Sequence, residues 1–169
     1  MAPLIRRTWG LRGLTPLLRV RARSHEKVSG IGALVVSPRR RRVSLCLALY
    51  HKENIRGPQI LNFLRSLREN YPGPIMLLWD RGTPHRHHEV SRYLQLRAHW
   101  QVEWLPPYAP ELNPVEQLWT YLKYGHLSNF APDTVEEIKS TVRKEVRKLS
   151  RRPHLLRSFF HHSKLPFRV

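Results

Sequence analysis

Residues 75–80 read Ile-Met-Leu-Leu-Trp-Asp, and this stretch decides how the chain is interpreted. Five apolar residues run without a break from Ile75 to Trp79, between segments rich in turn-forming residues. A run this short predicts a strand that is buried on both faces, as in a parallel sheet. Asp80 follows the strand directly, and functional residues of open α/β sheets collect at the carboxyl ends of strands.

The sequence on either side predicts the other elements of an α/β fold. Two β-rich stretches, Val28–Val36 and Val43–Tyr50, flank four arginines at 39–42, which indicates a hairpin with the arginines at its tip. The remaining predicted elements are a helix opened by Gly57-Pro58, the strand at 75–79, a helix at 89–98, a strand at 102–105 and helices at 113–124 and 134–149. This order predicts a mixed α/β sheet with helices on its faces.

Composition excludes several classes of protein. The chain has 169 residues, 41% of them hydrophobic, so it is long and apolar enough to bury a core. Its single cysteine, Cys46, excludes an intramolecular disulfide framework and a cysteine-based zinc site. The sequence has no apolar run long enough to cross a membrane and no apolar signal-peptide region near Met1. We therefore expect a cytoplasmic protein.

The charge is strongly positive and concentrated at the two ends. The net charge is +18, and residues 1–42 hold eleven basic residues against one acid, whereas 132–169 hold ten against four. Such a field favours a polyanionic partner, most simply nucleic acid. A merely solvated basic face, or arginine-rich codon usage, is the alternative explanation.

Two carboxylates stand in positions where chemistry could occur, although each also has a structural explanation. Asp80 could begin a simple turn with Arg81-Gly82, or it could bind a metal at the strand end. Glu116 could close a capping box with Asn113 at the start of a helix, or it could point over the sheet edge towards Asp80. Together, two carboxylates at one end of a sheet suit Mg²⁺ or Mn²⁺, which prefer oxygen ligands and support phosphoryl transfer.

Two longer stretches carry a family resemblance. They are residues 79–86, Trp-Asp-Arg-Gly-Thr-Pro-His-Arg, and residues 105–119, Leu-Pro-Pro-Tyr-Ala-Pro-Glu-Leu-Asn-Pro-Val-Glu-Gln-Leu-Trp. Both resemble the DDE-superfamily transposases, and in particular the mariner-like enzymes of bacterial insertion sequences. Residues 6–13 and 28–34 are similar to segments that follow the first catalytic strand of this family.

The resemblance implies an RNase H-like fold and a metal-dependent transposase that cleaves and transfers DNA strands with Mg²⁺ or Mn²⁺. By position, Asp80 corresponds to the second acidic residue of the catalytic triad and Glu116 to the third. One departure is Arg81, which stands where relatives often have asparagine and which could pair with Asp80.

The first acidic residue of the triad has no counterpart at the expected place. In relatives it lies on a strand shortly before the segment that resembles residues 6–13, and the resemblance places that strand between the first hairpin strand and the strand ending at Asp80. We therefore expect the chain to be the C-terminal part of a transposase that lacks the first strand of its sheet. A misplaced start, a decayed gene or the second of two frames joined by frameshifting would each explain this.

From these observations we predict two regions, a partial RNase H-like catalytic domain at 1–130 and a basic helix with a tail at 131–169. We expect the partner to be double-stranded DNA, at transposon ends and target, with an upstream-frame polypeptide or a second copy as further partners near the bacterial nucleoid. The residues expected to contact DNA are Arg39, Arg40, Arg41, Arg42, Arg81, His85, Arg86 and Lys123. The alternative function is a non-catalytic basic remnant that binds DNA and modulates an intact transposase.

Overall fold

The computed structural model describes residues 6–17, 27–39 and 42–166. Within these ranges the chain forms four strands and five α-helices. In chain order they are β1 (Val28–Val36), β2 (Val43–His51), α1 (Gly57–Asn70), β3 (Ile75–Trp79), α2 (His88–Gln95), β4 (Trp100–Trp104), α3 (Pro114–Thr120), α4 (Val135–Ser150) and α5 (Pro153–His162). The predicted order of elements is confirmed, with α5 as an addition.

The β1–β2 hairpin is the central layer of the molecule. Its strands are antiparallel, with Val28 opposite His51 and Val36 opposite Val43, and the amide of Ser37 donates to the carbonyl of Arg42 across the turn. Because side chains alternate along a strand, the hairpin contributes to a separate cluster on each face. Both faces are covered, so most of its side chains are half-buried.

One face of the hairpin packs on the C-terminal core. The buried members of this cluster are Val43, Leu118, Leu122, Ile138, Val142, Leu149, Leu156, Phe159 and Phe160. Residues 153–162, which we assigned to a tail, form helix α5 and bury Leu156, Phe159 and Phe160 in this core. The spacing of these three residues fits one helical face, and Pro153 occupies the first turn, where proline is tolerated.

The opposite face of the hairpin packs on the α1/α2 core. Its buried members are Ile60, Phe63, Leu64, Leu67, Val90, Tyr93, Leu94 and Trp100. Strands β3 and β4 run parallel, with Ile75 opposite Trp100 and Trp79 opposite Trp104. Leu77 and Val102 of these strands pack against the same core as Ile31 and Ala33 of β1.

The prediction that the strand at 75–79 is buried on both faces is wrong. Ile75, Leu77 and Trp79 face the α1/α2 core, whereas Met76 is 60% exposed and Leu78 is 42% exposed. A continuous apolar run does not distinguish one covered face from two, because the covering element lies elsewhere in the chain.

The strands form two separate pairs. Among the described residues β1 bonds only to β2 and β3 only to β4, although both pairs supply side chains to the α1/α2 core. No strand in the described ranges joins β1 to β3, so each of these two strands has one edge without ladder hydrogen bonds.

None of the helices in these ranges is long and apolar enough to cross a membrane.

Candidate functional site

Asp80 lies at the carboxyl end of β3, as the sequence predicts. The amide of Leu105 donates to the carbonyl of Trp79 at 2.7 Å, which ties the end of β3 to the chain leaving β4. The Asp80 side chain is 47% exposed. The sheet thus fixes the backbone next to Asp80, while the carboxylate remains partly open to solvent.

His85 holds Asp80 in place. A short 3₁₀ turn, Thr83–Arg86, brings the imidazole back over the strand end, and its Nδ1 lies 2.8 Å from Oδ1 of Asp80 and 3.3 Å from the carbonyl oxygen of the same residue. Because both neighbours are acceptors, Nδ1 carries the proton that it donates to them. The ring centroid lies 4.2 Å from that of Trp79, which buries most of the imidazole.

The turn after Asp80 adds a second contact to the same oxygen. The amide of Gly82 donates to Oδ1 of Asp80 at 2.8 Å. A Cβ on Gly82 would lie only 2.9 Å from that oxygen, so the turn needs glycine there for close approach. The sequence signal for this contact is Asp80-Arg81-Gly82, which we interpreted only as a turn.

The hydrogen bond with His85 lowers the pKa of Asp80 below its ordinary value of 3.8, and the Gly82 amide acts in the same direction. Partial burial opposes both effects, since it disfavours the charged form. Asp80 is therefore ionised at neutral pH. The side chain that contacts Asp80 is that of His85 and not that of Arg81, which is exposed.

Glu116 is positioned by helix α3. Oδ1 of Asn113 accepts a hydrogen bond from the amide of Val115 at 3.1 Å, and Pro114 occupies the first turn, as predicted. Glu116 does not close a capping box, because the amide of Asn113 donates to the carbonyl of Pro110 instead. Its exposed carboxylate makes no hydrogen bond or ion pair with any described residue.

Two glycines of β1 determine how closely α3 approaches the hairpin. A Cβ on Gly32 would lie 3.2 Å from Cδ2 of Leu118 and from Cζ2 of Trp119, and one on Gly30 would lie 3.2 Å from the Trp119 ring. In the sequence these glycines weaken the strand pattern. In the fold they make room for the helix that carries Glu116.

The chain leaves β3 and β4 at the same end of this parallel pair, with Asp80 directly after β3 and Glu116 in the helix that follows β4. The described residues contain no group of three or more His, Cys, Asp or Glu side chains close enough to hold a metal ion. The arrangement thus offers two carboxylates, one oriented by His85 and one that is exposed at the start of α3.

The residues predicted to contact DNA lie in different environments. Arg39 and Arg42 are exposed at the hairpin tip, while Arg40 and Arg41 lie outside the described residues. Arg81, Arg86 and Lys123 are exposed and accessible to a polyanion. His85 is instead largely buried against Trp79 and Asp80.

Comparison with solved structures identifies the fold. The chain is similar to the Mos1 mariner paired-end complex with Mn, at 17% identity and a TM-score of 0.55, covering 97% of this chain and 52% of that chain. It is similar to the Mos1 transposase paired-end complex with left transposon end, at 17% identity and a TM-score of 0.54, covering 96% and 52%. The Mos1 strand transfer complex gives 17% identity, a TM-score of 0.53, and coverage of 96% and 51%.

These likenesses confirm the mixed α/β, RNase H-like fold. The chain spans about half the length of the solved structures it matches. Among curated proteins, none matches the chain. The sequence profile of the DDE superfamily endonuclease family matches residues 2–139, which is most of the chain, and includes both Asp80 and Glu116. This protein therefore belongs to the DDE superfamily of endonucleases.

Proposed function

We propose that this chain is part of a DDE transposase that cleaves and joins double-stranded DNA, with Asp80 and Glu116 as the second and third acidic residues of its active site. The observation that carries the proposal is the placement of these carboxylates after two parallel strands, in a chain that the DDE family profile matches over residues 2–139. The Mos1 structures are complexes with a transposon end or with Mn, which supports DNA and a divalent cation as partners.

The donor chemistry of the two residues fits Mg²⁺ or Mn²⁺. Asp80 is ionised at neutral pH. Among the described residues, His85 and Gly82 engage only its Oδ1, and Glu116 is exposed and has no partner. Hard divalent cations prefer such carboxylate oxygens, and when bound they activate an attacking oxygen and stabilise the leaving one. In this proposal His85 keeps Asp80 oriented, and Asn113 keeps the first turn of α3 in place for Glu116.

We propose further that the chain does not cut DNA by itself, because the first acidic residue of the triad comes from a strand that pairs between β1 and β3. Within the described residues each of these strands has one unpaired edge, which supports a missing partner strand. That strand would be supplied by an earlier segment of the same reading frame or by a separate polypeptide. The protein would act on DNA at the bacterial nucleoid.

Nicking of a supercoiled plasmid carrying transposon ends, with Mn²⁺ or Mg²⁺, tests the proposal. We expect no nicking by the 169-residue chain alone and metal-dependent nicking once the segment encoded upstream is fused to it. In the fused enzyme, Asp80→Asn and Glu116→Gln should each abolish nicking. Glu111→Gln, an exposed glutamate in the loop before α3, is the matched control and should retain it.

The second candidate is a non-catalytic protein that binds DNA and modulates an intact transposase. The net charge of +18 and the lack of a three-ligand group among the described residues favour it. DNA binding together with a fused enzyme that stays inactive would support this candidate. Nicking by the isolated chain that both Asp80→Asn and Glu116→Gln abolish would contradict the proposal of a missing ligand.

A further inference from the structure

Two aromatic side chains in the segment that ends β4 and leaves it are exposed. Trp104, the last residue of β4, is 40% exposed, and Tyr108, four residues later, is fully exposed. Large aromatic side chains stabilise a fold by being buried, so these rings contribute little of that stabilisation.

The loop that carries Tyr108 is held at both ends. Leu105 is buried and donates its amide to the carbonyl of Trp79 at 2.7 Å. At the other end, the amide of Lys164 donates to the carbonyl of Glu111 at 2.8 Å, which joins the loop to the segment after α5. Three prolines, at 106, 107 and 110, restrict the backbone between these anchors.

Tyr108 itself adopts a left-handed backbone conformation, with φ of 56°. This region is unfavourable for a residue with a Cβ and is occupied mainly by glycine and asparagine. A strained residue that also exposes its whole ring is typical of a functional position, because neither feature stabilises the fold.

Trp104 is connected to Asp80 through the neighbouring rings of Trp79 and His85. Its ring is nearly parallel to that of Trp79, with an angle of 7° between the planes and 6.2 Å between centroids. The ring of Trp79 in turn contacts His85, which holds Asp80. The row His85–Trp79–Trp104 therefore runs from the carboxylate to a partly open indole face.

We propose that Trp104 and Tyr108 form a stacking platform for unpaired nucleobases of the DNA strand at the active site. The inference rests on the proposed function, since it uses DNA as the ligand. The faces of aromatic rings stack on bases, and bases inside a duplex present their faces only where the strands have separated. The net charge of +18 attracts the DNA to the chain, and the two rings select its unpaired portion.

Three fluorescent DNAs of equal length, without metal, test the platform on the full 169-residue chain. The first is a complete duplex. The second is a splayed duplex with about three unpaired nucleotides at one end, which is enough to cover two rings. The third is the same splayed duplex with abasic sites in place of the unpaired nucleotides. The wild-type chain should prefer the splayed DNA, and Tyr108→Ala and Trp104→Ala should each weaken that complex by about five- to 150-fold. Binding to the duplex and to the abasic DNA should stay within about twofold.

Two further variants separate stacking from folding. Tyr108→Phe keeps the ring and should retain the wild-type preference, while Tyr124→Ala removes another exposed tyrosine, in the segment after α3, and should leave it unchanged. Equal loss on all three DNAs, or no loss from either Ala variant, would overturn the proposal. Because this assay needs no cleavage, an inactive fused enzyme would refute the proposed function and leave the platform to be judged by its own result.

Discussion

Nδ1 of His85 lies 2.8 Å from Oδ1 of Asp80, and the same imidazole packs against the ring of Trp79, the residue that precedes Asp80. The histidine thus contacts both the carboxylate and the strand end that carries it. With Gly82 bound to the same oxygen, one side of the carboxylate is fixed and the other is left open. Geometry of this kind sets the protonation state of Asp80 as well as its orientation.

Replacing His85 should raise the pKa of Asp80 towards its ordinary value of 3.8, because the hydrogen bond that lowers this pKa most is lost. The pKa of Asp80 is lower in the folded chain than in the unfolded chain, so the ionised carboxylate stabilises the fold above pH 3.8. This stabilisation is lost as the pH falls through the lowered pKa. Carboxyl ¹³C chemical shifts of His85→Asn measure the change. His88→Asn, an exposed histidine in α2, should leave it unaltered, and an equal pKa in both variants would contradict the expectation.

Glu145 is a buried carboxylate that joins α4 to the turn after α3. It lies 2.7 Å from Nζ of Lys148 and 3.2 Å from Nδ1 of His126, and the hydrogen bond with Lys148 lowers its pKa most. Glu145→Gln should reduce the free energy of unfolding by about 1–2 kcal/mol at neutral pH. The difference should vanish below the lowered pKa, where the wild-type glutamate is protonated as well.

Urea unfolding at several pH values measures this effect. The control is Glu136→Gln, which removes an exposed i,i+3 pair with Lys139 at 3.3 Å and should cost less than about 0.5 kcal/mol. A loss of the same size for both variants would show that burial of Glu145 has no special role.

Leu156 tests whether α5 belongs to the cooperative core. Its side chain is completely buried, so Leu156→Ala should destabilise the chain by about 2–5 kcal/mol through lost burial and a residual cavity. Leu96→Ala, at an exposed position, should change stability by less than about 0.5 kcal/mol. Thermal unfolding followed by circular dichroism distinguishes them, and a separate early transition in the Leu156 variant would argue that α5 unfolds independently.

Gly32 tests how α3 is seated. Gly32→Val places a Cβ 3.2 Å from Leu118 and Trp119 and adds two methyl groups beyond it, so it should cost about 1–3 kcal/mol and displace the helix that carries Glu116. Gly73→Ala is the control, because a Cβ there meets no atom within 4 Å. Denaturant unfolding and Trp119 fluorescence report the change. Wild-type stability in the valine variant would mean that α3 can shift without loss.

The basic hairpin tip should contribute to DNA affinity without reading sequence. We expect binding to two unrelated duplexes to be similar and to fall steeply with salt, because counterions are released. Arg39→Ser with Arg42→Ser should lower the slope of log K against log salt by up to about 1.8. Arg65→Ser with Arg68→Ser, exposed arginines of α1 that we do not assign to DNA, should change it less. A strong preference for one duplex would contradict the prediction.

Local patterns of sequence determined most elements of this fold. Short stretches of sequence predict β1 and β2 from their alternating apolar residues, α1 from its apolar stripe and the start of α3 from Asn113-Pro114. Such signals depend on backbone propensity and hydrophobic period, which neighbouring residues decide. The family resemblance likewise lies in two contiguous stretches, around Asp80 and before Glu116.

Only the tertiary structure decided what each pattern packs against. Elements distant in the chain decide that Met76 and Leu78 of β3 are exposed and that Gly32 lies beneath α3. The path of a turn decides that Asp80 pairs with His85 and not with Arg81. The complete exposure of Tyr108 likewise depends on tertiary contacts, because hydrogen bonds to Trp79 and Lys164 hold the two ends of its loop. Burial and side-chain contact are properties of the assembled chain, because they depend on which surfaces meet and not on the local sequence alone.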